Sequence, residues 1–284
     1  MKKSSPHSRL RNPEAVEAQI LCDLKYFTEG PAIDQNTTLF FTDLLGHQIW
    51  CLINQRAEKW VTSSRPNGQR ILQDGSHLVC DSDDACIFHY SSEGKKIGMY
   101  GHGQIGGLQV RCPNDLCIHP DQGFYFTDSV RYLGAVFYVG WDGRSELVAK
   151  NIDYANGIAL SSDGQKLYVA ESYQNRILCY DMDGPGKCTS EPDIFCNLPD
   201  HSNGKMTSNL PDGIAFDLEG RLWVAHYGMQ AVQVISSRGQ ILCCYDTTIP
   251  LTSNLCFTES DLIVTGGFDE PGPGRVVKLN VFKL

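Results

Sequence analysis

The chain lacks the marks of several common protein classes. No apolar run approaches the length of a transmembrane helix, so no membrane association is expected. Twelve cysteines are present, but none forms a C-x-x-C pair; the nearest approaches are Cys112 with Cys117 and the adjacent Cys243 and Cys244. That spacing speaks against structural zinc. A G-x-S-x-G nucleophile elbow is missing, which removes the simplest serine-esterase reading. Basic residues number 24 against 33 acidic ones, for a formal net charge of −9, and beyond the N-terminus they are scattered. Nucleic-acid binding rests on clustered Lys and Arg, so no nucleic-acid partner is expected. The opening MKKSSPHSRLRNP leads into no apolar h-region and does not read as a secretory signal. The expectation is a cytoplasmic protein with reduced thiols. After residue 26 no segment keeps apolar residues at i, i+3, i+4 and i+7 for three turns, so no amphipathic helix is required.

What the chain does have is an internal repeat. Six copies can be aligned: EGPAIDQNTTLFFTD from Glu29, NGQRILQDGSHLVCD from Asn67, NDLCIHPDQGFYFTD from Asn114, NGIALSSDGQKLYVAE from Asn156, DGIAFDLEGRLWVAH from Asp212 and NLCFTESDLIVTGG from Asn254. Their heads lie 38, 47, 42, 56 and 42 residues apart, a spacing that suits four-stranded propeller blades. Each copy reads as two short apolar runs broken by a turn, which is a β-hairpin. Sheets of this kind bury both faces by packing radially around a central channel. The fold expected is therefore all-β: a six-bladed β-propeller with a central metal-binding channel. Residues 1–16 would be a polar N-terminal tail and 17–284 a single propeller domain. The sequence after Asn254 is short for a full blade, so a strand within Glu17–Lys25 should close the ring, with Ala18, Ile20, Cys22 and Leu24 alternating. Cys80, Cys117, Cys179 and Cys256 fall inside expected strands, where a free Cys packs as a small apolar residue.

In a propeller the first strand of each blade runs nearest the axis, so the repeat heads converge. Glu29, Asn114, Asn156 and Asp212 then offer two carboxylates and two amide carbonyls at one end of the channel. Hard oxygen donors in loose geometry suit Ca²⁺ best; Mg²⁺ demands a tighter octahedron, and Mn²⁺ or Zn²⁺ could substitute. The competing reading is that Asn-Gly, Asn-Asp and Asp-Gly simply make turns. Turn residues already stand inside the repeats at Asp74, Asp121 and Asp163, however, so the heads are additional. Four oxygen donors around one axis without a cation would repel one another or go unsatisfied.

The strings TEGP (28–31), PNDL (113–116), ANGIALSSDGQKLYVAES (155–172), PDGIAFDLEGRLWVA (211–225) and SNLCF (253–257) together resemble the senescence-marker-protein, gluconolactonase and luciferin-regenerating-enzyme family. The resemblance runs from about Glu29 to Val264. It implies a lactonase holding one catalytic divalent metal and acting on a small sugar or aliphatic lactone. Glu29, Asn156 and Asp212 match the family's ligands, and Asp212 also matches its catalytic carboxylate. Asn114 matches an asparagine that touches metal or substrate, and Asp115 beside it supports the loop. Sugar-lactonase relatives carry Arg two residues before that asparagine. Here the position is Cys112, with Arg111 one residue further back. Ala215 and Cys256 stand where relatives resembling diisopropyl fluorophosphatase place ligands of a second, structural calcium, so one metal is expected.

On this reading the metal polarises a lactone carbonyl, and Asp212 takes a proton from the attacking water or orients it. The alternatives are a phosphotriesterase or arylesterase using the same metal, or a non-enzymatic propeller that binds calcium or a partner. Arg111, Asn114, His102 and His226 are the candidate substrate contacts. His226 ends the second run of its copy and reads either as a pH-tuned base or as a rim histidine. His102 and His201 sit in the two longest connections, which are long enough to cover the channel mouth. Gly101, Gly103 and Gly106 spell G-x-G-x-x-G but open no helix, so they are read as a loop.

Overall fold

The computed structural model describes residues 9–119 and 121–283. Six four-stranded antiparallel sheets form the blades of a propeller, and each blade starts at its repeat head. The innermost strands are Thr28–Ile33, Pro66–Ile71, Pro113–His119, Ala155–Leu160, Leu210–Phe216 and Leu251–Phe257. Each contacts the next in order, and the last contacts the first, so they form a closed ring around the axis. Helix is confined, among the described residues, to short 3₁₀ turns at Pro13–Ala15, Ser172–Gln174 and Met206–Ser208. None of them is long and apolar enough to cross a membrane.

The apolar residues of the hairpins pack between blades. Each of six buried clusters fills one blade interface. Between blades 5 and 6, for example, Trp223 stacks on Tyr245 and meets Phe257 and Phe282 edge-on. Cys80, Cys117, Cys179 and Cys256 lie in strands as expected, and all twelve cysteines are free.

The sixth blade takes its outer strand from the start of the chain. Ala18–Leu24 pairs antiparallel with Gly274–Leu279, in register from Ala18 with Leu279 to Leu24 with Gly274. Arg275 adds two charge-assisted bonds to Asp23, at 2.6 and 3.0 Å. The expected alternation fails at one point. A bulge between Ile20 and Cys22 leaves Ile20 50% exposed, while Leu21 packs with Cys22 and Leu24 against the cluster between blades 6 and 1. An extra residue in one strand reverses the facing of the residues beyond it. Residues ahead of this strand also touch the ring: Leu10 bridges to Phe282, and Tyr245 donates its hydroxyl to the Arg11 carbonyl at 2.7 Å. Residues 1–8 lie outside the described residues.

The head dipeptides prove to be neither turns nor plain strand entrances. In all six innermost strands the register shifts just before or after the head, so each head sits at a β-bulge. The glycine after the head lets two inner strands meet. A Cβ at Gly157 would stand 2.2 Å from the Asp212 carbonyl oxygen, and one at Gly30 would stand 2.3 Å from that of Asn67. Because the obstacle at Gly157 is backbone, Gly157→Ala should cost about 2–3 kcal/mol, read as a lowered urea midpoint at unchanged slope. Deleting residues 1–24 should bare the Gly274–Leu279 edge, giving a lower melting temperature and aggregation.

Candidate functional site

Two repeated devices hold the heads in place. The first is the acid that ends the second strand. The Asp81 carboxylate accepts from the Arg65 backbone N–H at 3.1 and 3.0 Å, Asp128 from the N–H groups of Arg111 and Cys112, and Glu171 from that of Asp153 at 2.8 Å. Each acid thus fixes the backbone two or three residues before a head. The second is the serine after the acid. Ser82 donates to the Pro113 carbonyl at 2.8 Å, Ser129 to that of Ala155 and Ser172 to that of Pro211 at 2.7 Å. Ser253 does the same for Thr28 at 2.8 Å. Each bond runs from one blade to the residue before the next blade's head, and each is worth about 0.5–1.5 kcal/mol.

The result is a cavity of about 330 Å³ at one end of the axis. Glu29, Asn67, Asn114, Asn156 and Asp212 line it together with Phe27, Leu44, Leu45, Tyr154, Leu210 and Tyr227. All five polar heads are buried. The four heads chosen from the sequence therefore meet in one place, and Asn67, the head of the second copy, joins them. Asn254, the sixth head, supports from behind by donating to Glu29 Oε2 at 3.1 Å. Asp115 is fully buried, accepts from the Leu116 N–H at 2.8 Å and faces Arg70 at 3.4 Å.

Electrostatically this is an expensive arrangement. Burial, and then the charge of Asp115, push the Glu29 carboxyl up to about 7 against the pull of bonds from Gly30 and Asn254. Burial and the charge of Glu29 hold Asp212 well above the usual carboxylate range. The side-chain oxygens of Asn67 and Asn156 are buried with no hydrogen-bond partner. Buried polar atoms are rarely left so. Two repelling carboxylates and two orphaned amide oxygens facing one cavity fit a divalent cation bound by oxygen. The Cys112 thiol also lines the cavity, but burial raises its pKa. It stays protonated at neutral pH and is a poor nucleophile.

The other candidate substrate contacts lie elsewhere. His226 is fully buried, with Nε2 3.0 Å from the Asn175 side-chain oxygen and Nδ1 near Gln233, and burial lowers its pKa to about 4. Its environment is the interface of blades 4 and 5. His102 and Arg111 are exposed and do not line the cavity. Of the two long connections, the one holding His201 reaches the mouth through Thr207, and the other contributes Cys112. Sequence reasoning passed over Arg65, Asn67, Tyr154 and Glu270 as lining residues. Asn67 was signalled by its place at a head, and the serines by the recurring Asp-Ser and Glu-Ser pairs at 81–82, 128–129 and 171–172.

The profile of the SMP-30/gluconolactonase/LRE-like family matches residues 27–266, the span that carries all six heads and the first five blades. The chain belongs to that family. Lactonase drp35 of Staphylococcus aureus strain USA300 is 30% identical over 268 residues, covering 84% of this chain and 80% of that protein. The Staphylococcus haemolyticus lactonase drp35 is 30% identical over 226 residues, 74% of this chain and 66% of that protein. These relatives, like the family's gluconolactonases, are hydrolases of carboxylic esters. Among solved structures, a Xanthomonas campestris gluconolactonase superposes with a TM-score of 0.80 at 23% identity, over 96% of this chain and 94% of that one. The calcium-binding protein regucalcin of Agrobacterium tumefaciens gives 0.76 at 20%, over 94% of each. At such identities the superpositions show that the family shares this propeller.

The raised Glu29 carboxyl has a thermodynamic consequence. A folded-state pKa above the unfolded value adds stability at low pH that is lost as pH rises through the folded value. Metal-free protein should therefore lose about 1 kcal/mol of unfolding free energy from Glu29 between pH 6.5 and 8. His226 and His77, each lowered to about 4 in the folded state, are half protonated at pH 6.5 when unfolded, so each gains about 0.4 kcal/mol over the same range and masks part of the Glu29 loss. The Glu29 share is the difference between two profiles: from pH 6.5 to 8, Glu29→Gln should gain about 1 kcal/mol relative to wild type, as read by urea unfolding in chelator at several pH values.

Proposed function

We propose that the chain is a metal-dependent lactonase that opens a small lactone at the axial cavity. The observation that carries this reading is the pairing of two buried carboxylates with two unpartnered amide oxygens in one cavity of a lactonase-family chain. Glu29, Asn156, Asp212 and Asn114 would hold the cation, with Asn67 beside them. Oxygen donors throughout favour Ca²⁺. When bound, the cation polarises the carbonyl of the ester.

The protein's own groups supply the rest. Phe27, Leu44, Leu45 and Leu210 present an apolar wall to the ring and exclude bulk water. Asp212 takes a proton from the attacking water as general base; burial and the charge of Glu29 raise its proton affinity in the metal-free protein, and a cation beside it would offset that rise and keep it ionised for the role. The water oxygen bonds to the carbonyl carbon, the ring C–O bond breaks, and the ring oxygen leaves with a proton as the hydroxyl of a hydroxy acid. Asn254 and the Gly30 N–H hold Glu29 in place throughout.

Chelator-stripped protein titrated with Ca²⁺, Mg²⁺, Mn²⁺ and Zn²⁺ should regain hydrolysis of small lactones, with Ca²⁺ or a close substitute most effective. Ca²⁺ at a hundred times its dissociation constant should add about 2.7 kcal/mol of stability, visible as a higher melting temperature. Asp212→Asn should lower kcat by about 10²–10⁴ with the fold intact by circular dichroism. Full turnover in that variant would remove Asp212 from the chemistry.

A further inference from the structure

Arg65 is the one Lys, Arg or His among the described residues that line the axial cavity. It stands two residues before the head of blade 2, the place Cys112 occupies in blade 3. Its backbone is locked on both sides: its N–H donates to both oxygens of buried Asp81, and its carbonyl accepts from Ser82 N–H at 3.0 Å. Its side chain is barely engaged. Nε is buried and has no hydrogen-bond partner, and Nη1 lies 3.7 Å from Asp83, with both side chains well exposed. An ion pair of that kind holds a guanidinium weakly. A rigid backbone thus presents a nearly free cation at the cavity.

The charges around it are not symmetric. In a six-bladed ring, blade 2 stands across the axis from blade 5, which brings Asp212 and Tyr227. Glu270, on the side of blades 5 and 6, accepts from the Tyr227 hydroxyl at 2.9 Å. A divalent cation would balance Glu29 and Asp212, which leaves two charges in the lining, Glu270 on one side of the cavity and Arg65 on the other, so an anionic group would be received on the blade 2 side. A hydroxyl or a neutral carbonyl would use one of its N–H groups, whereas a carboxylate matches the planar fork with two.

We infer that Arg65 is a specificity-determining residue whose guanidinium receives a carboxylate borne by the substrate, so that the preferred substrate is an anionic lactone. The inference rests on the lactonase reading and adds a substrate class to it. The reacting carbonyl lies over the axial floor of Glu29 and Asp212, the ring passes Leu44 and Leu45 of blade 1, and the carboxylate ends at blade 2. The volume suits a five- or six-membered ring with one such substituent.

The test compares a γ-lactone carrying a ring carboxylate with its primary amide, which has the same shape and no charge, using calcium-loaded protein. The wild type should favour the carboxylate by about tenfold in kcat/KM, mostly through KM, and the ratio should shrink with added salt. In Arg65→Gln the ratio should fall towards one, and in Arg65→Lys it should be intermediate, since the charge remains without the fork. Equal use of the two lactones by the wild type, or a ratio unchanged in Arg65→Gln, overturns the inference. Calorimetric binding of the ring-opened dicarboxylate separates this from the parent reading because it needs no turnover. Tighter binding to wild type than to Arg65→Gln, without hydrolysis of any lactone, would sink the lactonase reading and uphold the role of Arg65. Equal binding would sink the role of Arg65 whatever the turnover.

Discussion

Everything at the axis depends on how closely six inner strands approach one another. Glycine at Gly30, Gly68, Gly157 and Gly213 removes the side chain at the point of contact, and a bulge beside each head keeps the polar side chain turned to the cavity. Serine hydroxyls from one blade to the next then fix the height of four of the six heads, Glu29, Asn114, Asn156 and Asp212. Two blades break the pattern: blade 6 has Leu255 after its head, and blade 3 places Asp115 where blades 1, 2, 4 and 5 put glycine. Its carboxylate is matched by Arg70 from blade 2, so a third axial charge is tolerated beneath the cavity.

The site is unstable by design of its charges. Glu29 and Asp212 are buried side by side, and the orphaned oxygens of Asn67 and Asn156 add to the cost. The surrounding framework carries that cost because it is closed: six interface clusters and a shared sixth blade leave no free inner edge along which the heads could separate. The cavity's apolar wall and its single cation come from rim positions beside the heads, so binding preference can vary there without disturbing the floor.

The repeat made the fold readable. Its period set the blade count, and its phase brought Glu29, Asn114, Asn156 and Asp212 to one end of the axis. The strap at Ala18–Leu24 was legible because too little sequence remained after Asn254, but the bulge after Ile20 was not, since nothing in the alternation marks an extra residue. His102, Arg111 and His226 show where sequence distance misleads. Arg111 sits three residues before a head, yet Asp128 clamps its N–H while its side chain turns to solvent. Arg65, with the same clamp in its own blade, turns its side chain to the cavity. Position decides the difference: Arg65 and Cys112 each stand two residues before a head and line the cavity, whereas Arg111, one residue further back, faces away.

The strap also settles how the molecule would answer a mechanical load. Ala18 pairs with Leu279 and Leu24 with Gly274, so both chain ends leave from the same end of one strand pair. Tension on the termini would meet the bonds one at a time, like a zipper, rather than all together in shear. The ring would give way first at its rim, from Leu10 and Phe282 inward, while the axial heads stayed in place until the last blade had come apart.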